Sequence, residues 1–147
     1  MKIIEQEEVR KLLQPKDCIQ LMAEALKGLE SGEYAQPARL ITVMPNTAKF
    51  GFMPAYVGDY FGAKVISAFA PNMGTKYPSH IGYVMLFESA HSTVAGMIEA
   101  GSITEIRTGA VSAAATDLLA RKDSHKLALI GAGAQARSHL AAIREIR

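Results

Sequence analysis

The stretch LALIGAGAQA, Leu127–Ala136, places a short apolar run directly before the pattern G-x-G-x-x-A. Leu127 to Ile130 has the composition of a buried strand, and Ala136 to Ile146 that of a helix. In such a strand–turn–helix unit the first glycine permits the tight turn and the second lets the backbone approach a pyrophosphate. The third position must be small so that helix and strand pack closely. Gly131, Gly133 and Ala136 occupy these positions. A helix beginning there would aim its first N–H groups at an anion. An ordinary strand–turn–helix corner would show the same residues without a ligand.

The position of this stretch governs the domain organisation. Gly131 lies 16 residues before Arg147. A mononucleotide-binding βαβ unit takes about 30 residues or more, and an acidic residue that reads the ribose lies about 20 residues further on. We therefore expect residues 1–125 to form one domain and residues 126–147 to begin a second, incomplete one. A lone strand lacks the parallel neighbours that bury such a segment, and an isolated helix of about a dozen residues is marginal in water. The tail from Leu127 is accordingly expected to be mobile or to lie against an apolar patch. The 147-residue chain alone is expected to catalyse no nicotinamide-dependent reaction.

Upstream, Ile4–Leu13 and Asp17–Glu30 read as helices separated by Pro15, with Asp17 as N-cap and Gly32 as the residue after the C-terminus. From Ala38 the apolar period shifts toward two. Arg39–Met44 and Phe50–Tyr56 read as a hairpin around Pro45-Asn46-Thr47, and Phe61–Phe69 as a third strand. Tyr83–Phe87 and Val94–Ile98 form a second hairpin, with His91 at its solvated tip. Pro71–His80 is long enough for a binding loop. Ser102-Ile-Thr-Glu105 has the form of a capping box, predicting a helix from Ile103 to about Ala120.

Two cations stand out. Lys64 sits in an apolar, two-sided strand, either as an edge residue reaching solvent or inside a pocket where it meets a substrate carboxylate. Arg107 falls in the first turns of the predicted helix, where a cation opposes the helix dipole. With Thr108 it would form an anion pocket; alternatively it faces solvent.

Composition sets the limits. Sixteen Lys and Arg against fourteen Asp and Glu give a net charge of +2. No basic cluster offers a nucleic-acid stripe, and no apolar run is long enough to span a bilayer. The single Cys18 excludes an internal disulfide and suggests a reducing compartment. No Cys/His/Asp cluster has metal-ligand spacing. We expect a cytoplasmic protein with neither nucleic-acid nor membrane partners and no metal.

The strings QPAR (Gln36–Arg39), MPAY (Met53–Tyr56), AKVISAFAPN (Ala63–Asn72), YPSHIG (Tyr77–Gly82), ITEIRTGAVSA (Ile103–Ala113) and LALIGAGAQARSHL (Leu127–Leu140) resemble the ornithine cyclodeaminase/μ-crystallin family. The resemblance implies an α+β fold. N-terminal helices would lie on a mixed, mostly antiparallel sheet that binds substrate and dimerises, followed by the first βα unit of a truncated Rossmann domain. It implies NAD- or NADP-dependent hydride transfer at the amine/imine carbon of a small amino or imino acid, as in cyclodeaminases, ketimine reductases and archaeal-type alanine dehydrogenases. Arg39, Lys64 and Arg107 would hold the substrate carboxylate, with Lys64 also at the reacting centre. Thr108, Gly131, Gly133, Ala134 and Gln135 would contact the cofactor. The family's catalytic aspartate lies in the nucleotide domain, in a region this sequence does not contain. A truncated, non-catalytic binding or oligomerisation module of the crystallin-like branch is the alternative.

Overall fold

The computed structural model describes residues 1–147. In chain order it contains strand β1 (Lys2–Ile4), helix α1 (Gln6–Leu12), helix α2 (Pro15–Ser31) and strands β2 (Leu40–Val43), β3 (Lys49–Val57) and β4 (Tyr60–Ala68). Strands β5 (His80–Glu88) and β6 (Val94–Glu99) and helices α3 (Ala100–Leu119) and α4 (Ala134–Ile143) follow. The six strands form one sheet in the order β1-β6-β5-β4-β3-β2, antiparallel except where β1 runs parallel to β6. This is the expected α+β architecture.

Several local expectations change. The chain opens with a strand and not with helix: Lys2, Ile3 and Ile4 pair with Gly96, Met97 and Ile98. Three residues carry no period, so only the long-range pairing reveals them. Helix α2 begins at Pro15, whose fixed φ suits a first helical position, which places Asp17 in the first turn instead of at the cap. Gly32 ends the helix at φ 79°, the left-handed conformation a glycine adopts at no steric cost. The β2–β3 hairpin turns at Pro45-Asn46-Thr47 as expected, closed by Met44 and Ala48.

Helix α3 starts earlier than its predicted capping box. Glu99 is its N-cap, and its carboxylate accepts hydrogen bonds from the backbone N–H groups of Gly101 and Ser102. Ser102 is buried inside the helix, its hydroxyl without a partner, and Glu105 pairs with Arg10 at 2.6 Å. Arg107 is consequently the eighth residue of α3, beyond the first turn, and the dipole argument no longer applies to it.

The predicted strand at Leu127–Ile130 does not form. The segment is irregular, Ile130 is fully exposed, and none of the six sheet strands lies beside it. The helix that follows does form, and it docks. Gly109 of α3 lies so close to α4 that a Cβ there would stand 2.5 Å from the Ser138 carbonyl oxygen. Ser112 and His139 Nε2 are hydrogen-bonded at 2.9 Å, and Arg147 reaches Asp117 at 2.7 Å. The face of α3 buried against its neighbours includes Gly109, Ala110, Ala113 and Ala114.

The helices cover one face of the sheet. On the other, Leu40, Phe50, Phe52 and Ile81 are 62%, 41%, 42% and 55% exposed, and the register places them on a common face. The chain exposes 10138 Å². A compact monomer of this mass exposes about 7,300 Å² by the area–mass scaling of folded proteins.

Gly109→Ala tests the helix contact. The added methyl meets backbone, which cannot rotate away, so the variant should lose about 1–3 kcal/mol of stability, as overpacking does. Hydrogen exchange should accelerate in Ala134–Ile143 while the sheet stays protected.

Candidate functional site

A cavity of about 620 Å³ opens between the helix layer and the sheet. Its walls come from α2, the segment Tyr34–Arg39, β3, Lys64 of β4 and the face of α3 that carries Thr104, Arg107 and Val111. This volume is in the range of pockets that enclose small ligands.

Each cation reaches the cavity by a different local device. Strand β4 lies between β3 and β5 in the interior of the sheet, so the edge-strand reading of Lys64 does not hold. The register sets Lys64 opposite Met53 and Val84, on the face covered by helices. Its Nζ donates to Thr104 Oγ1 at 3.3 Å. Arg107 enters from α3, three residues after Thr104 and therefore on the same helix face. Arg39 precedes β2, in a segment that Ala35 ties to Tyr56 by two backbone hydrogen bonds of 3.0 and 2.8 Å. Tyr34, also in the wall, lays its ring where Gly28 of α2 has no side chain.

All three sequence-derived cations thus share one cavity, and none has an acidic partner there. No Asp or Glu lines the pocket, and neither Arg39 nor Arg107 forms a salt bridge. The electrostatic consequence falls on Lys64. Desolvation by burial lowers its pKa from the ordinary lysine value, and the positive charges of Arg107 and Arg39 lower it further. The buried Cys18 thiol is pushed up by desolvation, which nearby Arg107 partly offsets.

The other expected site residues lie elsewhere. Thr108 does not line the cavity; its hydroxyl donates to the Thr104 carbonyl at 2.6 Å, one turn back on its own helix. Gly131, Gly133, Ala134 and Gln135 are exposed, before and at the start of α4, and are not part of this cavity. Gly131 has φ 107°, and a Cβ at either glycine would meet nothing within 4 Å. Gly133 caps α4 without any side-chain hydrogen bond, so the first N–H groups of that helix have no capping acceptor. This open, donor-rich backbone fits an anion such as a dinucleotide pyrophosphate. His80 starts β5, paired with Ala68, and its ring contacts Ser79. No group of three His, Cys, Asp or Glu is placed to hold a metal ion. No helix is long and apolar enough to cross a membrane.

Sequence reasoning missed Thr104, the one hydrogen-bond partner of Lys64. Its signal was the i, i+3 spacing to Arg107, which the capping-box reading of Ser102–Glu105 obscured.

A sequence profile of the Ornithine cyclodeaminase/mu-crystallin family matches residues 1–147. The chain is similar to ketimine reductase mu-crystallin of Mus musculus, 36% identical over 121 residues that make up 80% of this chain and 38% of that protein. Among solved structures it is similar to Thermococcus litoralis Δ1-pyrroline-2-carboxylate reductase in complex with NADH and L-proline. That likeness has TM-score 0.92 and 33% identity, and covers 100% of this chain and 46% of the other. An archaeal alanine dehydrogenase dimer with bound NAD gives TM-score 0.93 and 27% identity over 99% of this chain and 45% of the other. The chain spans less than half the length of these relatives.

The lowered pKa of Lys64 has a measurable sign. The folded chain gives up this proton more readily than the unfolded chain does, so the ammonium opposes folding at neutral pH. Stability should rise as pH climbs through the window between the lowered value and the ordinary lysine value of about 10.4. Lys64→Met should therefore raise the melting temperature at pH 7, and the gain should shrink as pH approaches 10. Thermal denaturation of both chains across this range checks it.

Proposed function

Because the chain belongs to the ornithine cyclodeaminase/mu-crystallin family, we propose that it supplies the substrate-binding part of an NAD(P)-dependent enzyme acting on a small amino or imino acid. The observation that carries this reading is the convergence of Arg39, Lys64 and Arg107 on one cavity with no acidic residue among them. Such a cluster is unfavourable until an anion enters it, and a planar carboxylate suits arginine, whose forked donors grip both oxygens.

In this reading Arg39 and Arg107 orient the substrate carboxylate. Lys64 has three N–H donors, of which one meets Thr104 Oγ1, leaving two for the ligand. An arriving carboxylate adds the missing negative charge and draws the Lys64 pKa back up, so substrate capture and protonation of this amine reinforce one another. Lys64 would then hold a proton beside the nitrogen of the substrate. Residues 1–125 form the substrate domain and 126–147 the start of a nucleotide-binding one. Gly131, Gly133, Ala134 and Gln135 would hold the cofactor pyrophosphate. Thr108 reaches it only if its hydroxyl leaves the Thr104 carbonyl. The nicotinamide supplies or accepts the hydride, and the protein supplies orientation and electrostatics.

We assign the uncovered sheet face to a homodimer contact. Leu40 of β2, Phe50 and Phe52 of β3 and Ile81 of β5 lie on it, and a strand with apolar residues on both faces needs cover on both.

Two measurements test these assignments. Titrating the chain with pyrrole-2-carboxylate, a planar cyclic acid, should give saturable binding. Loss of one charge-assisted hydrogen bond costs about 1.5–3 kcal/mol, so Arg39→Ala and Arg107→Ala should each weaken it at least about tenfold. Arg144→Ala, on the exposed end of α4, should leave it unchanged; equal affinity in all three variants would end the assignment. Light scattering at micromolar concentration should give twice the mass of the chain, and Phe52→Glu should reduce it to that of one chain.

A further inference from the structure

We propose that Thr104 is the positioning residue of Lys64: its hydroxyl holds Nζ at the cavity in both protonation states of the amine, so that Lys64 can exchange a proton with a bound ligand without moving. The holding rests on the geometry of two side chains, and the use of that proton rests on the carboxylate-binding role argued above. Helix α3 carries two threonines one turn apart and uses them differently. The Thr108 hydroxyl donates to the Thr104 carbonyl at 2.6 Å, the usual bond of a threonine inside a helix. The Thr104 hydroxyl is turned to the sheet instead, where Oγ1 accepts from Lys64 Nζ at 3.3 Å across 40 positions of sequence. Both residues are half-buried, and both line the cavity.

A hydroxyl suits an amine that changes charge, because it can both accept and donate. An ammonium donates to its oxygen. A neutral amine donates in the same way, or takes the hydroxyl hydrogen on its lone pair. A carboxylate in this place would favour the ammonium alone and raise its pKa, and an aliphatic side chain would hold neither form. Branching at Cβ restricts the threonine χ1, so the oxygen itself has little freedom. Arg107 follows three residues later on the same helix face. After desolvation, its charge is the main cause that lowers the Lys64 pKa, and Arg39 adds to it. Helix α3 thus loosens the Lys64 proton with one side chain and steadies the nitrogen with another. Met53 of β3 and Val84 of β5, beside Lys64 in the sheet, are uncharged. The other titratable groups of the cavity wall are the Tyr34 and Tyr56 phenols, and the Cys18 thiol of α2 lies near Arg107.

Carbon-13 labelling at lysine Cε lets a pH titration of the 147-residue chain follow each amine by NMR, and Lys64→Arg identifies the Lys64 signal. The two Hε protons of a held side chain have different shifts, whereas those of a freely turning one average to a single value. In the native chain the Lys64 pair should stay split on both sides of its titration midpoint, while the exposed Lys27 shows one value throughout. Thr104→Val keeps the shape and branching of threonine. It should average the Lys64 pair and lower the midpoint further, since the ammonium loses its acceptor; Thr104→Ser should restore both. Thr104→Val should also weaken pyrrole-2-carboxylate binding at least about threefold, with Thr104→Ser near the native value. A native split that vanishes above the midpoint overturns the proposal without any variant, and so does an unchanged Lys64 pair in Thr104→Val. If Thr104→Val averages the pair yet binds pyrrole-2-carboxylate as the native chain does, while Arg39→Ala binds it weakly, Thr104 has no part in the site and the carboxylate role stands. If Arg39→Ala binds it undiminished, the carboxylate role is overturned together with the use of the proton, and the splitting alone decides the holding.

Discussion

Helix α3 can stand at the centre of this chain because its buried positions carry almost no side chain. It touches α1, α2, α4 and β5, and a helix with bulky residues on those sides would hold its neighbours a full side-chain length away. Gly109, Ala110, Ala113 and Ala114 remove that distance. The closeness at Gly109, where backbone faces backbone, brings α4 against α3 without any sheet to organise it. The same helix turns Thr104 and Arg107 toward the strands, so the packing that fixes α3 also fixes one side of the cavity.

The cavity shows the reverse of ordinary charge design. Several cations elsewhere in the chain find carboxylates: Arg10 meets Glu105, Arg147 and Lys122 share Asp117, and Lys2 meets Glu8. At this cavity three cations line one wall with apolar residues and no carboxylate. Protein charges that repel one another in the folded state persist where something else in the function needs them. The lowered pKa of Lys64 is the physical trace of that conflict. A bound anion would resolve it, as the proposed role of the cluster in carboxylate binding requires.

The sheet carries a second incompleteness. Every residue of its interior strand β4 keeps some solvent exposure, and the face opposite the helices presents large apolar side chains to water. An area about 2,800 Å² above that of a compact monomer of this mass is of the size that subunit and domain contacts remove.

Strands β2 to β6, the two hairpins, the helix-ending Gly32 and the anomaly of Lys64 were legible in the sequence, because they are written in local period, turn chemistry and the mismatch of one charge with its surroundings. Arg39, Lys64 and Arg107 could be named there, but their meeting could not. It depends on β4 lying inside the sheet rather than at its edge, on the register that faces Lys64 toward the helices, and on α3 starting at Ala100, all of which are set by pairing and packing between distant segments. Strand β1 was invisible for the same reason: three residues have no period, and only β6 gives them one. At Leu127–Ile130 the strand-like composition was present and the strand was not, since a β-strand exists only through hydrogen bonds to a neighbour. Composition determined which segments could be strand or helix; the tertiary structure decided which of them found the partners that such elements require.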